Sequence, residues 1–398
     1  MDVKKISFLP PSQGEPYLLT PGPLTTASKV KEAMLKDWGS WDGDFRALTE
    51  SLRKKLLSIL GPTNTKYECV PIQGSGTYVV EAMLGTFVPR KGKLLVLANG
   101  AYGLRAAQIM EYLGRAFHLL DKGDYLPPRG KEIAKILSED PGITHVLAIH
   151  CETSSGILNP LVEIANAVKA NNRKLLIDSM SAFGAIPIDP KIIDFEAMVS
   201  SANKCIEGVP GFGFVFAKRS TLEEAKGNCH SLSLDLEAQW SAMEKSGQWR
   251  FTPPTHVLAA FLIALDIHTK EGGVEGRGQR YSKNRDVMVS GMRNLGFETL
   301  LDEKWLSPII VTFFCPADSN FKFETFYEHL KKAGYIIYPG KLTVAESFRI
   351  GCIGHMDTKV MEGVVSAAKQ ALRHMGVESA APPRAALNER QTVSELEE

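Results

Sequence analysis

Residues 199–216 read VSSANKCIEGVPGFGFVF. A strand-like run leads into Lys204 and an alternating aromatic run follows it, so the lysine falls in the connection between two strands. Taking an unpaired ammonium out of water is costly. Lys204 therefore either lies along the surface with its tip in water or has its amine chemically engaged. Outward from this stretch, apolar runs alternate with helical patterns. KLLVLANG (93–100) precedes YGLRAAQIMEYLG (102–114), THVLAIHCE (144–152) precedes LVEIANAVKANN (161–172), and KLLIDSMS (174–181) leads towards Lys204. Strands spaced by about one helix each predict an α/β unit with a mostly parallel sheet flanked by helices and right-handed crossovers. In such sheets ligands bind beyond the carboxyl ends of the strands.

The pattern changes after the helical THVLAAFLIALDIHTKEGG (255–273). An amphipathic helix then precedes SPIIVTFFC (307–315), KFETFYEHLKKAG (322–334), YIIYPG (335–340), ESFRIGCIG (346–354) and a last helix ending at Gly376. This predicts a large domain over 21–274 and a smaller α+β domain over 275–376, with residues 1–20 packing on the small domain. The stretch 377–398, rich in Ala, Pro and charge, is expected to be a disordered tail.

Forty-six basic against forty-five acidic residues leave a formal charge of +1 in 398 residues, which argues against nucleic acid or a membrane surface as partner. Any anion must be gripped locally. The cysteines, at 69, 151, 205, 229, 315 and 352, show no paired spacing, and neither CxxC nor HExxH occurs, so neither disulfides nor a metal site is expected. The first residues lack the apolar core of a secretory signal, and no apolar run reaches membrane-spanning length. The expected compartment is the cytoplasm.

Four features fall just past predicted strands. VPIQGSGTYVVEAML (70–84) puts Ser75, Gly76 and Thr77 at a helix start, where bare amides and hydroxyls suit a phosphate. Asp178 ends KLLID, Thr153 and Ser154 end LAIHCETS, and Tyr102 follows VLANGA. Singly, these have plainer readings as a helix cap, a strand-end cap, a turn and a packed aromatic. Together with Lys204 they describe a pocket for a phosphorylated pyridine aldehyde. The lysine bonds the aldehyde, the aspartate faces the ring nitrogen, and the helix start holds the phosphate.

The strings LLTPGPL (18–24), GSGTYVVEAM (74–83), NGAYGLRA (99–106), HCETSSG (150–156), LLIDSMSAFG (175–184), SANKCIEGVPGFGFV (201–215), RFTPPT (250–255) and FRIGCIG (348–354) resemble those of class V aminotransferases of pyridoxal phosphate fold type I. The resemblance spans about Leu18 to Gly376. It implies pyridoxal 5'-phosphate as cofactor, Lys204 as the lysine bonded to it, and Asp178 opposite the pyridine nitrogen. Tyr102 takes the ring-stacking position, Thr153 lies near the phenolic oxygen, and Ser75, Gly76 and Thr77 form the phosphate cup. Thr252 matches the position that completes the cup of a neighbouring subunit, which implies a homodimer with shared sites. Arg349 matches the arginine that holds the substrate's acidic group, and its fork suits a carboxylate or phosphonate.

Within the class, the words DWGSWDGDF (37–45), HCETSSG and RFTPPT resemble members that move an amino group from 2-aminoethylphosphonate to pyruvate. Alternatives are an alanine or serine:glyoxylate transaminase, a cysteine desulfurase using Cys205 or Cys352, and a catalytically silent cofactor binder. No GxGxxG follows the first strand, which disfavours a nicotinamide dehydrogenase. Lys341 in YPGKLT is a further basic residue to consider, with a surface role the plainer reading. His150 reads as packed, and Trp38 and Trp41 as entrance, core or interface residues.

Overall fold

The structure, a computed structural model, describes residues 8, 14–61, 65–341 and 345–395. Seven strands form the main sheet in the spatial order Tyr67–Gln73, Phe212–Lys218, Ala197–Ser201, Lys174–Asp178, Ile143–Ile149, Lys93–Ala98, Ala116–Asp121. Phe212–Lys218 runs antiparallel to both neighbours, and every other pairing in this sheet is parallel.

Alternate residues of each strand face opposite sides. Leu95, Leu97, Val146, Leu175 and Ile177 enter one core, and Leu94, Val96, Leu147, Leu176 and Val199 the other. The helices Gly43–Ile59 and Thr255–Lys270 cover the first face through Phe45, Leu52, Leu258 and Phe261. Gly76–Phe87 and Ala101–Tyr112 cover the second through Val79, Met83, Ala106 and Met110. With both faces covered, the strands read as unbroken apolar runs, and burying each such leucine contributes about 2 kcal/mol.

Two local features depart from the alternation of apolar strands and helices. The strand Ala116–Asp121 escapes the apolar-run reading because it is the sheet's edge and mostly exposed. The spacing from Asp178 to Lys204 leaves room for a helix, yet the chain crosses from Ser179 to Glu196 in turns. Pro187 and Pro190 lie in that crossing, and proline withholds the backbone donor a helix needs.

A three-stranded antiparallel sheet of Ile310–Phe314, Ser347–Gly351 and Tyr338–Pro339 builds a second core with the helices Gly273–Asn294, Phe323–Lys332 and Thr358–Met375. Tyr17–Leu18 pairs in parallel with Tyr335–Ile336. The segment expected as a disordered tail instead contains a helix, Arg384–Glu395. Ala380 and Ala386 are buried in the second core, and the Arg390 guanidinium donates to the Thr299 carbonyl at 2.6 Å. These few apolar contacts are hidden in the sequence by a charged background.

Among the described residues no helix is long and apolar enough to cross a membrane. No group of three or more His, Cys, Asp or Glu among them is placed to hold a metal ion.

Candidate active site

The sheet's direction decides which residues meet. Asn99, Cys151, Asp178 and Asn203 all lie at or just beyond the carboxyl ends of parallel strands, on one edge of the sheet. Tyr67–Gln73 points the same way, because two antiparallel steps restore its direction. Its continuation, Gly74–Thr77, therefore arrives at that edge, and the Gly74 amide donates to the Gly211 carbonyl at 3.0 Å. A cavity of about 1040 Å³ opens there.

Ser75, Gly76, Thr77 and Tyr102 line this cavity together with Asp178, Lys204 and Thr252. Seven of the nine sequence-predicted site residues thus share one wall. Thr153 and Arg349 are not part of that lining. They touch each other instead: the Arg349 Nη1 donates to the Thr153 carbonyl at 2.8 Å, and its Nε donates to the Pro339 carbonyl at 3.0 Å.

Lys204 sits in the turn between Ala197–Ser201 and Phe212–Lys218, half-buried as a residue, with its amine turned inward. The Nζ donates to the carbonyls of Pro21 (2.9 Å) and Gly22 (3.3 Å). A Cβ on Gly22 would lie 2.7 Å from that nitrogen, and the φ of Gly22 is +113°, so glycine alone fits this approach. Burial pushes the amine down to about 8, against the opposing pull of Cys205 and Asp178. About a tenth of the amine is therefore neutral at pH 7, far more than for an ordinary lysine, as a nucleophilic amine requires.

Asp178 is buried at the end of its strand. Its side chain accepts from the Met180 amide at 2.9 Å. Burial pushes its carboxyl up to about 6 despite that bond, with Glu152 adding to the rise and Lys204 and Arg105 opposing it. Among the described residues it forms no ion pair. A buried carboxylate with no bonded cation is an incomplete pair.

The helix Gly76–Phe87 begins with Ser75 at its cap, whose side chain makes no capping bond. That leaves the hydroxyl and the first amides directed at the cavity wall they help form. The Thr77 hydroxyl accepts from Arg105 at 3.2 Å, and the Arg105 guanidinium lies 5.0 Å from the Tyr102 ring. Lys341 reaches within 6.0 Å of the same ring; burial lowers its pKa, helped by the nearby Arg105 and Arg349 charges.

Two residues that matter escaped the sequence reading. Arg105 lines the cavity beside Thr77 and Tyr102, and its signal was an arginine one helical turn after the tyrosine in NGAYGLRA. Glu152 is fully buried. It accepts from the Tyr102 (3.1 Å), Gly103 (3.4 Å) and Ser154 (3.1 Å) amides and from the Ser154 hydroxyl (2.6 Å). It caps the helix Ala101–Tyr112 from outside, since Gly100 at the cap position has no side chain to do so. An acid ending an apolar strand, in HCET, was its only mark in the sequence.

Other candidates have structural places. The His150 imidazole bonds the Ser179 hydroxyl at 3.0 Å and is pushed down to about 3 by burial, so it is neutral. Cys205 and Cys352 are fully buried, and burial raises both thiols, Cys352 up to about 12. Neither has the exposed thiolate character of a nucleophile. Trp38 packs against the first core beneath Lys36, whereas Trp41 is exposed.

A lysine, a buried acid and a bare helix start around one cavity define an aminotransferase-like site on this fold. The family model described as Aminotransferase class-V matches residues 38–340. The chain belongs to the class-V aminotransferase family. It is 68% identical over 377 residues to the 2-aminoethylphosphonate–pyruvate transaminase of Rhizobium meliloti (strain 1021), covering 95% of this chain and 98% of that one. It is 51% identical to the enzyme of the same name from Pseudomonas putida (strain KT2440), covering 91% and 98%. Among solved structures, the pyridoxamine-pyruvate aminotransferase of Mesorhizobium loti superposes with a TM-score of 0.82 at 21% identity, covering 98% of this chain and 100% of that one. The fold is thus that of the type I aminotransferases.

Proposed function

We propose that this chain transfers the amino group of 2-aminoethylphosphonate to pyruvate, giving phosphonoacetaldehyde and L-alanine, with pyridoxal 5'-phosphate as cofactor. The pairing, on one cavity, of a low-pKa lysine with a buried acid that lacks a bonded cation carries the cofactor, and the 68% identity to the Rhizobium meliloti enzyme carries the choice of substrates. The residues fit the cofactor. Asp178 suits a protonated ring nitrogen, and Ser75, Gly76 and Thr77 suit a phosphate. The Tyr102 ring suits an aromatic face, whereas Thr153, which the resemblance sets near the phenolic oxygen, lies outside the cavity lining. When bound, the cofactor supplies an aldehyde that accepts the amine and a ring that withdraws the electrons released at the substrate carbon.

The chain's own residues do the rest. Lys204 would hold the cofactor's aldehyde carbon, and its amine, when free, is placed to take the proton from C2 of 2-aminoethylphosphonate, the carbon that bears the amino group. Asp178, when ionised, would hold a proton on a pyridine nitrogen bound beside it. Arg349 presents a guanidinium to the substrate's acid, phosphonate in one half of the cycle and carboxylate in the other. Arg105 and Lys341, flanking Tyr102, add the positive charge that a doubly charged phosphonate needs beyond a carboxylate. We read 21–274 as the domain that holds the cofactor and 275–376 as the one that brings Arg349 to it.

We also propose a homodimer. Thr252 lies exposed at the rim of this chain's own cavity, beside the exposed Phe251, and Tyr78, Leu232 and Trp41 are exposed apolar side chains. A second copy that covers such groups gains apolar burial and sets Thr252 against the neighbouring phosphate cup. Light scattering that returned a single 43.7 kDa chain would contradict this.

A product assay separates the substrates. With 2-aminoethylphosphonate and pyruvate the protein is expected to form alanine at a rate well above that of glycine formation from alanine or serine with glyoxylate. The reverse order would assign the site to a glyoxylate transaminase.

A further inference from the structure

We infer that Glu207 is a positioning residue that sets Lys204 and links it to the strand carrying Arg349. The inference rests on the reading of Lys204 as the cofactor-bonding lysine. Glu207 lies three residues beyond Lys204 and has a φ of +61°, a conformation that a residue with a side chain adopts only when its surroundings hold it there. Its amide donates to the Lys204 carbonyl at 2.8 Å, which closes the turn that presents the lysine.

The side chain supplies the hold. It is almost fully buried, and its Oε1 accepts from the Tyr281 hydroxyl at 2.6 Å and from Arg280 at 2.7 Å, with Arg277 at 3.3 Å. The His355 Nδ1 lies 3.8 Å from the other oxygen. Burial opposes its charge, but Arg277 and Arg280 outweigh it and hold the carboxyl well below the usual range. Glu271 pairs with both arginines, at 2.7 and 2.6 Å.

The same arginines grip two other segments. Arg277 donates to the Cys205 carbonyl, the residue next to Lys204. Arg280 donates to the carbonyls of Gly354 (2.6 Å) and Met356 (2.8 Å), just beyond the strand Ser347–Gly351 that holds Arg349. The lysine's turn and the arginine's strand are thus fastened to one buried cluster on the helix Gly273–Asn294. Buried ion pairs fix one geometry, at an expense that apolar packing would avoid, and here the Arg277 Nη2 and the His355 Nδ1 are buried without a hydrogen-bond partner. None of these groups lines the cavity, so the cluster acts on the reaction through Lys204 and not by contact.

The test uses Glu207→Gln and Tyr281→Phe in the full chain, read in two ways. In the cofactor-free protein, the pH dependence of Lys204 acetylation, followed by mass spectrometry, reports the amine's titration. Asp178 and Cys205 are the titratable groups that act on this amine, and neither is altered. Loosening the turn is expected to return the midpoint upward from about 8 towards the ordinary lysine value, because the amine regains water. In the loaded enzyme, kcat is expected to fall by about 100-fold for Glu207→Gln and less for Tyr281→Phe, with a smaller rise, about 3-fold, in KM for pyruvate through the strand that carries Arg349. A lower melting temperature with midpoint and kcat unchanged would mean a merely structural cluster and would overturn the inference. If Glu207→Gln does not fold, Tyr281→Phe, which leaves every charge in place, decides by the same readings. Loss of the visible cofactor band in wild type would instead refute the reading of Lys204 itself.

Discussion

At the scale of single residues, the chemistry turns on two groups whose charges burial disfavours. The Asp178 carboxyl is raised from 3.8 to about 6, so the native cofactor-free protein binds this proton more tightly than the unfolded chain does. The sign follows. The penalty is absent below pH 3.8, grows as pH rises to about 6, and is fully present at neutral pH. Asp178→Asn, which keeps the acceptor for the Met180 amide, is therefore expected to stabilise the cofactor-free protein by about 3 kcal/mol at pH 7. Turnover should fall by about 100-fold or more. Urea unfolding at pH 7 and in acid, where the gain should vanish, checks this; a variant equally stable or weaker at pH 7 would contradict it. Arg349→Lys tests the anchor. A lysine cannot bond the Pro339 and Thr153 carbonyls while presenting a fork, so KM for both substrates should rise about 10–100-fold. Cofactor affinity should stay as it was, and a KM change confined to one substrate would argue against a shared anchor.

At the scale of elements, the helix Ala101–Tyr112 is placed by an acid from another segment. Glu152→Ala leaves the amides of Tyr102, Gly103 and Ser154 without their acceptor, at a stability loss of about 2 kcal/mol. Glu152→Gln, which keeps one of the two acceptor oxygens, should lose less; equal losses in urea unfolding would show that the cap is not what Glu152 contributes. This element also shows where the sequence falls silent. Gly74–Thr77, Asp178 and Lys204 were legible because each is a short polar word at the end of an apolar run. Glu152 was not, because the Tyr102 and Gly103 amides it caps lie about fifty positions earlier, brought near only when Ile143–Ile149 pairs with Lys93–Ala98. The edge strand Ala116–Asp121 and the helix Arg384–Glu395 lacked apolar periodicity for the same physical reason: the strand buries no side chain fully, and the helix little beyond Ala386. The Glu207 cluster was invisible too, since Arg277, Arg280 and Glu271 look like ordinary helix-surface charges until the fold encloses them.

At the scale of the whole molecule, two sheets of different origin have to meet for a reaction with two unlike substrates. The main sheet delivers the lysine, the acid and the helix start to one edge, while the second sheet carries Arg349 to the neighbourhood of Thr153. The most direct test of that arrangement is the visible spectrum of the cofactor-loaded protein, beside that of Lys204→Ala, during sequential addition of the two substrates. The expected result is a lysine-dependent band that 2-aminoethylphosphonate alone bleaches and pyruvate restores, with alanine formed in step. A band that survives Lys204→Ala, or that ignores 2-aminoethylphosphonate, would contradict it.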